Sequence, residues 1–524
     1  MGDPLRTFVD HAITDGRAPL LSRIQRGIEK ESLRIATDGT LSQHRHPASL
    51  GSPLTHPYIT TDYSEALLEF VTPVYEDIDE TLDFLTRIHR HVYHSIGEEK
   101  LWVNSMPCIL HGEQSIPIAQ YGKSNVGLMK YVYRQGLSAR YGRMMQTIAG
   151  IHYNFSLPNQ FWELTFADPP DRGGNLQDQK SAAYFAGVRN FHRYCWLLIY
   201  LFGASPAVCR TFLQGREHNL QELSDSTYFS PAATSIRMSD LGYSNAAQAH
   251  INVSHDNLDD YIKTLIHATD TSFSEYERVG IKDDMGRYLQ LNTNLLQIEN
   301  EYYAVIRPKR VAQSGEKPSH ALRECGVEYL EVRCIDLDPF NAVGINAVQV
   351  RFLDIFLLFC LFDDSPPATK AEAEIIADNQ QAAVFYGRDS NTQLMRGTKP
   401  IGLQHWGKII CERMQPIAEL LDRLHHSSDY TNALDEQSAK LDEPELTPSA
   451  RIVTELKNSN ESFYEFAMRK STEHEQHFKD LKHNSAADQQ FVKWAQMSLD
   501  DQKRIEAADD MDFDEFLNRY FTQQ

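Results

Sequence analysis

The chain has 524 residues, 41% hydrophobic and 10% aromatic, enough to bury a large core and too apolar for long-range disorder. Asp and Glu outnumber Lys and Arg 72 to 51, a formal charge of −21. That balance does not forbid a local basic patch, but it argues against a nucleic-acid binder, which needs a positive face to displace counterions, and it fits a solvated surface with some carboxylates free to bind metal.

In chain order, the opening Met-Gly-Asp-Pro lacks the charged-then-apolar order of a signal peptide. Residues 24–35 then read as a strand carrying Glu29 and Glu31, and residues 66–72 as a second, carrying Glu69 and stopping at Pro73. Helical spacing of Leu82, Leu85, Ile88 and Val92 predicts a helix over 78–96. Residues 151–157 alternate strictly, with apolar odd positions and polar even ones including His152, and are closed by Pro158. A helix over 181–202 ends at Gly203 as its cap. A further strand over 327–335 puts Leu330, Val332 and Cys334 on one face and Tyr329, Glu331 and Arg333 on the other.

Strands with one apolar and one polar face predict an antiparallel sheet in an α+β fold. After Phe340 the strand signals fade, and the chain reads as almost wholly helical apart from a loop at 363–368. We therefore expect a catalytic α+β unit over 1–340, with a mostly helical region over 341–524 packed on it. The most apolar stretches, 194–202 and 352–362, are shorter than the ~20 residues that span a bilayer, and the second contains Asp354, so both read as buried helices and no membrane association is expected. Seven cysteines (Cys108, Cys195, Cys209, Cys325, Cys334, Cys360 and Cys411) are odd in number, widely spaced and without a Cys-x-x-Cys pair. That pattern fits a reducing cytoplasm and argues against a disulfide framework or a zinc site.

The polar strand faces gather Glu29, Glu31, Glu69, His152 and Glu331, with Asp62 just ahead of the second strand. Residues two apart on a strand share a face, so Glu29 and Glu31 point the same way. Carboxylates facing one space raise each other's pKa unless cations sit among them. Such a set with one imidazole suits magnesium or manganese, and five carboxylates suit two or three ions bridging to a polyphosphate better than one. The plain alternative is that each acid is an ordinary solvent-facing residue, and that His152 is a hydrogen-bonded structural histidine.

A phosphate-binding loop is rejected. Gly122-Lys123-Ser124 imitates its end, but the leading glycine is replaced by Pro117, and no Gly-x-Gly-x-x-Gly occurs. Phosphates would be held instead by metals and by cations drawn from Arg134, Arg237, Arg307, Lys309, Arg310 and Arg333. Arg333 is the best placed, two residues from Glu331 on the same strand face.

Seven blocks, in order and spacing, resemble the proteobacterial type of glutamate–cysteine ligase. They are Gln25-Arg26-Gly27-Ile28-Glu29-Lys30-Glu31-Ser32-Leu33-Arg34, the run from Ile59 through Asp62 to Phe70, that from Gln146 through His152 to Pro158, Ser239-Asp240-Leu241-Gly242-Tyr243, Gln297-Ile298-Glu299-Asn300-Glu301-Tyr302-Tyr303, Arg307-Pro308-Lys309-Arg310 and Glu328-Tyr329-Leu330-Glu331-Val332-Arg333. The resemblance covers about residues 20–360 and is less diagnostic in the helical tail. It implies a curved antiparallel sheet of glutamine-synthetase-like type. It also implies three magnesium ions held by Glu29, Glu31, Asp62, Glu69, His152 and Glu331, and ATP-phosphate contacts from Arg134 and Arg333. A cysteine pocket is implied near Tyr63, Tyr133, Arg237, Tyr243 and Tyr303, with Tyr63 standing where the family pattern has phenylalanine.

The activity so implied is ATP- and magnesium-dependent joining of the L-glutamate γ-carboxylate to the L-cysteine amine through a γ-glutamyl phosphate, with glutathione as an expected feedback ligand. Arg333 and Glu331 are the expected catalytic pair. Two alternatives stay open at this point: another ATP-dependent carboxylate–amine ligase of the same superfamily, and a catalytically inactive metal- or nucleotide-binding regulator. Amine specificity separates the first, and loss of an acidic metal position would favour the second, yet all six positions are present.

Overall fold

The computed structural model describes residues 4–107, 109–166, 175–242, 248, 251, 253–313, 315–482 and 485–523. Its strands, in chain order, are β1 (Gln25–Ile35), β2 (Ile59–Thr61), β3 (Leu67–Val71), β4 (Lys100–Leu101), β5 (Ile151–Ser156), β6 (Ala207–Cys209), β7 (Gln221–Ser224), β8 (Thr227–Phe229), β9 (Ile306–Lys309), β10 (Tyr329–Ile335), β11 (Gln393–Arg396) and β12 (Lys399–Gly402). The main sheet runs β2-β3-β1-β5-β10-β9, with β4 paired to the end of β1, and every pairing is antiparallel. The α+β class and the antiparallel sheet expected from alternation are what the chain forms.

The core face of β1 departs from simple alternation. Between its site-facing residues lie Arg26, Lys30 and Arg34, all buried. Burying a charge is costly unless it is paired, and each cation has its own answer. Arg26 Nη2 is 2.6 Å from Asp354 Oδ2, and the Tyr153 hydroxyl donates to the other oxygen of that carboxylate at 2.6 Å. Arg34 Nη1 is 2.6 Å from Glu99 Oε2. Lys30 Nζ lies 2.6 Å from His89 Nε2, and burial pushes the lysine down to about 7, which lowers the cost of burying it. The apolar helix Ala347–Phe362, which carries Asp354, is thereby pinned to the back of the sheet.

That helix packs against Leu176–Phe202, which itself lies under β10 and β9; Ile78–Tyr93 covers β1 and β3. Helices Leu403–His425 and Asp429–Asp442 pair with each other and pack on Ala347–Phe362. One hydrophobic cluster runs from Leu5 to Phe491 through these layers. The last helix, Phe513–Phe521, packs elsewhere, on Asn125–Tyr141. No helix among the described residues is long and apolar enough to cross a membrane.

The tail is less uniformly helical than expected. β11 and β12 form a hairpin in which Arg396 faces Lys399 across a two-residue turn. Gly397 opens that turn at φ +60°, a conformation glycine adopts at little cost. A second sheet, β6-β8-β7, also went unforeseen. All five strands have only three or four residues, too few for alternation to register.

Candidate active site

Directly opposed residues on neighbouring strands share a face, so the register of the sheet builds the site. Glu29 of β1 faces His152 of β5, Glu31 faces Glu69 of β3, and Glu331 of β10 faces Asn154 of β5 on one side and Arg307 of β9 on the other. A register irregularity in β10 between Val332 and Ile335 falls where Arg333 turns toward His152. The acids are not on an open wet face: Glu31, His152 and Glu331 are buried.

Distances describe one connected cluster. His152 Nδ1 is 3.1 Å from Glu29 Oε2, and its Nε2 is 3.7 Å from Glu31 Oε1. Arg333 Nη1 is 3.1 Å from Glu331 Oε2 and 3.3 Å from His152 Nδ1. Lys309 Nζ is 3.5 Å from Glu331 Oε1. Glu29, His152 and Glu331 each offer a ligand atom, all within 4.8 Å of one another.

Electrostatics divides the acids into two kinds. Burial works against the charge of Glu331, but Lys309, Arg333 and His152 override it and hold the carboxyl well below the usual range. Glu69 lies on the other side of that balance. Burial and the charges of Glu29, Asp62 and Glu31 hold its carboxyl well above the usual range. Glu31 is raised too, by burial first and then by Asp62. A donor set of carboxylates and one imidazole, in which burial and neighbouring carboxylates raise Glu31 and Glu69, fits hard divalent cations.

A cavity opens from this cluster. Its lining includes Glu31, Asp62, Tyr63, Tyr133, Arg134, Arg237, Tyr303 and Arg333, joined by Gln146, Asn300 and Arg307. Helix Asn125–Tyr141 supplies Tyr133 and Arg134. Its N-cap is Ser124, which accepts from the Gly127 N–H, so the Gly-Lys-Ser run caps a helix while Lys123 points to solvent. Arg134 donates through Nε to the Asp62 carbonyl and stacks over Tyr121, 4.6 Å from the ring centroid. Gln146 donates to the Tyr303 hydroxyl at 3.1 Å. The arginine candidates separate here. Arg310 sits apart, 3.6 Å from Glu328 and bonded to the Cys325 carbonyl. Tyr243 and Cys108 lie outside the described residues.

Two residues at the site went unnoticed as functional candidates. Asn154 Nδ2 donates to Glu29 Oε1 at 2.9 Å. It lies two residues beyond His152 on one strand, so alternation alone could have put it on the site face. The Gly150 N–H donates to Glu31 Oε2 at 2.6 Å, and that contact has no side-chain signal. A second cavity of ≈ 340 Å³ begins at Glu29 and runs past Gly27, Asn154 and Ser156 to Tyr329. The acidic cluster therefore stands between two spaces.

Residues 10–383 match the glutamate–cysteine ligase family. The chain is 51% identical over 516 residues to the glutamate–cysteine ligase of Alcanivorax borkumensis, covering 98% of each. It is 50% identical over 506 residues to that of Pseudomonas aeruginosa, covering 96% of this chain and 95% of the relative. Among solved structures, a glutamate–cysteine ligase from Francisella tularensis in complex with AMP superposes with a TM-score of 0.89 at 35% identity, covering 95% of this chain and 97% of that one. A bifunctional glutathione synthetase from Pasteurella multocida matches with a TM-score of 0.67 at 25% identity, covering 89% of this chain but 54% of that one.

Proposed function

The chain belongs to the glutamate–cysteine ligase family, an ATP-dependent enzyme family that opens glutathione synthesis, and we propose that its chemistry runs on the acidic sheet face with the roles that follow. Two or three magnesium ions would be held by Glu29, Glu31, Asp62, Glu69, His152 and Glu331. When bound, the ions neutralise the triphosphate and align its γ-phosphoryl group for in-line transfer. The observation that carries the reading is the strand register, which puts donor atoms of Glu29, His152 and Glu331 within 4.8 Å, with Arg333 3.1 Å from Glu331.

A carboxylate is a poor electrophile, and an amine does not displace hydroxide from it at neutral pH. Transfer of the ATP γ-phosphoryl group to the L-glutamate γ-carboxylate gives an acyl phosphate and ADP. The L-cysteine amine then attacks the acyl carbon, phosphate leaves, and the amine proton passes to an acidic residue or to the departing phosphate. Arg333 and Arg134 are the cations for the phosphoryl oxygens; the planar fork of arginine matches two of them at once. Glu331 acts with Arg333 by holding the guanidinium in place, the charge pair being almost dry.

We assign the amino-acid substrates to the cavity with Tyr63, Tyr133, Arg237 and Tyr303, and the nucleoside to the second cavity, on the far side of Glu29. The ≈ 340 Å³ of that space falls in the usual small-ligand range of about 300–1,000 Å³. Glutathione contains the γ-glutamylcysteine product within it, so the same pocket is where it would act as a feedback ligand. The six described cysteines are all unpaired, which supports a cytoplasmic setting.

The test is ADP release with magnesium, L-glutamate and a panel of amines. L-cysteine is the best acceptor on this reading, and release requires metal, glutamate and acceptor together. Equal turnover with glycine, ammonia and cysteine would overturn it.

A further inference from the structure

Arg237 reaches the amino-acid cavity from inside the protein and is 1% exposed. Its Nη2 donates to the Arg333 carbonyl at 2.9 Å, so it touches the backbone of the strand that carries the site. It passes directly over Gly150. A Cβ there would stand 2.0 Å from Arg237 Nη2, so any side chain at position 150 would push the guanidinium aside. On the other side, Arg237 Nη1 is 3.6 Å from Asp336 Oδ1. That is within charge-pairing range but longer than a hydrogen bond.

Asp336 follows β10 directly, three residues after Arg333, and its side chain is fully buried. One carboxylate oxygen accepts from the Ala204 N–H at 2.8 Å and the Ser205 hydroxyl at 2.6 Å. The other accepts from the Ser235 hydroxyl at 2.9 Å and faces Arg237. An amide side chain could accept from an N–H and a hydroxyl as well. What only a carboxylate supplies is the negative charge beside a guanidinium out of water, where charge acts strongly.

We infer that Asp336 is a positioning residue for the ligation: it aims Arg237 across Gly150 at the amino-acid substrate without touching substrate itself. The inference rests on the reading of Arg237 as an L-cysteine-binding residue. β10 carries Glu331 and Arg333, and the anchor of Arg237 follows it directly, so the phosphate end and the amino-acid end of the site are held in fixed relation.

Steady-state kinetics for ATP, L-glutamate and L-cysteine in Asp336→Asn, Arg237→Met and the double variant, with melting curves on each, test it. The expected result is a rise of about ten- to a hundredfold in the KM for L-cysteine in Asp336→Asn, the scale on which small misplacements act. The KM for ATP stays put, and the double variant is no worse than Arg237→Met alone. Independent, additive effects, or a lower melting temperature with all three KM values unchanged, would show that Asp336 only ties segments together. An unchanged L-cysteine KM in Arg237→Met would instead remove the underlying reading of Arg237. If Asp336→Asn does not fold, Ser235→Ala frees one carboxylate oxygen without changing charge. It should raise the L-cysteine KM in the same selective way, and a folded Ser235→Ala with unaltered KM counts against the inference.

Discussion

Glu31 and Glu69 stand directly opposite each other on β1 and β3. Glu31 is buried and Glu69 half-buried, and both carboxyls are raised above their ordinary values, by loss of water first and then by neighbouring carboxylates: Asp62 for Glu31, and Glu29, Asp62 and Glu31 for Glu69. The sign of the consequence is fixed. A carboxyl whose folded pKa exceeds its unfolded one stabilises the fold at low pH, and that contribution is lost as pH rises through the folded value. Glu331 and Glu29 are shifted the other way and are already ionised near neutrality, so they add no slope there. The stability this pair contributes without metal, read as the difference between wild type and Glu69→Gln, should therefore be smaller at about pH 8 than at about pH 5, just above the ordinary glutamate value, and magnesium should restore it, by about 2.7 kcal/mol at a hundred times its dissociation constant. Melting curves at the two pH values, with and without magnesium, check this; calorimetry in two buffers should show proton release on binding. A magnesium gain that is identical at both pH values, with no proton release, would separate these acids from the metal.

Arg333→Lys is the sharpest probe of the phosphate end. Arg333 Nη1 lies between Glu331 and His152, so the protein's own side chains set its position. Lysine keeps the charge but loses the planar fork. Charge that develops during phosphoryl transfer and amide formation should feel that loss more than ground-state binding does. We expect turnover to fall about ten- to a thousandfold, with a smaller rise in the KM for ATP. Intact turnover with weaker ATP binding would make Arg333 a binding residue only.

At the other end of the scale, Lys123→Ala should be nearly silent. Lys123 is exposed, and its backbone N–H donates to Glu506 at 2.9 Å. Its neighbour Ser124 caps the helix that carries Tyr133 and Arg134, so Ser124→Ala should cost about 1 kcal/mol of stability. Urea titration and ATP-dependence of turnover for the two variants separate capping from phosphate binding; a collapse of ATP affinity in Lys123→Ala would restore the discarded loop reading.

How much of this could be read in the chain depends on which physical signal each part leaves. Glu29, Glu31, Glu69, His152 and Glu331 lie on strands long enough to alternate, so their shared face was visible before the strands were known to be neighbours. Their mutual pairing was not visible, because register is set by long-range contacts. Asp336 left no signal at all: it lies just past β10, and its partners Ala204, Ser205 and Ser235 are more than a hundred residues away in sequence. The buried cations of β1 were hidden for the same reason, since Arg26 is neutralised by Asp354 from a distant helix.

The end of the chain lies over the site from outside. Leu517 packs with Val132 and Leu291 in a small cluster separate from the main core, flanked by Met129, Phe513 and Phe516. Around it, Asn125 Nδ2 donates to the Met511 carbonyl at 3.0 Å, Lys282 pairs with Asp514 at 2.9 Å, and Lys317 Nζ donates to the Phe521 carbonyl at 2.9 Å. The terminal segment thus straps helix Asn125–Tyr141 from behind, while Tyr133 and Arg134 of that helix face the cavity. Deleting the buried Leu517 side chain should weaken this seat by about 2–5 kcal/mol. Because the cluster is separate from the main core, the loss should appear as local opening more than as global unfolding. For Leu517→Ala we therefore expect faster hydrogen exchange across residues 125–141, little change in exchange of β1 and β5, and a higher KM for the substrates that meet Tyr133 and Arg134. Exchange measured by mass spectrometry, segment by segment, decides it. Unchanged exchange over 125–141 together with wild-type KM values would mean that the strap has no part in holding that helix.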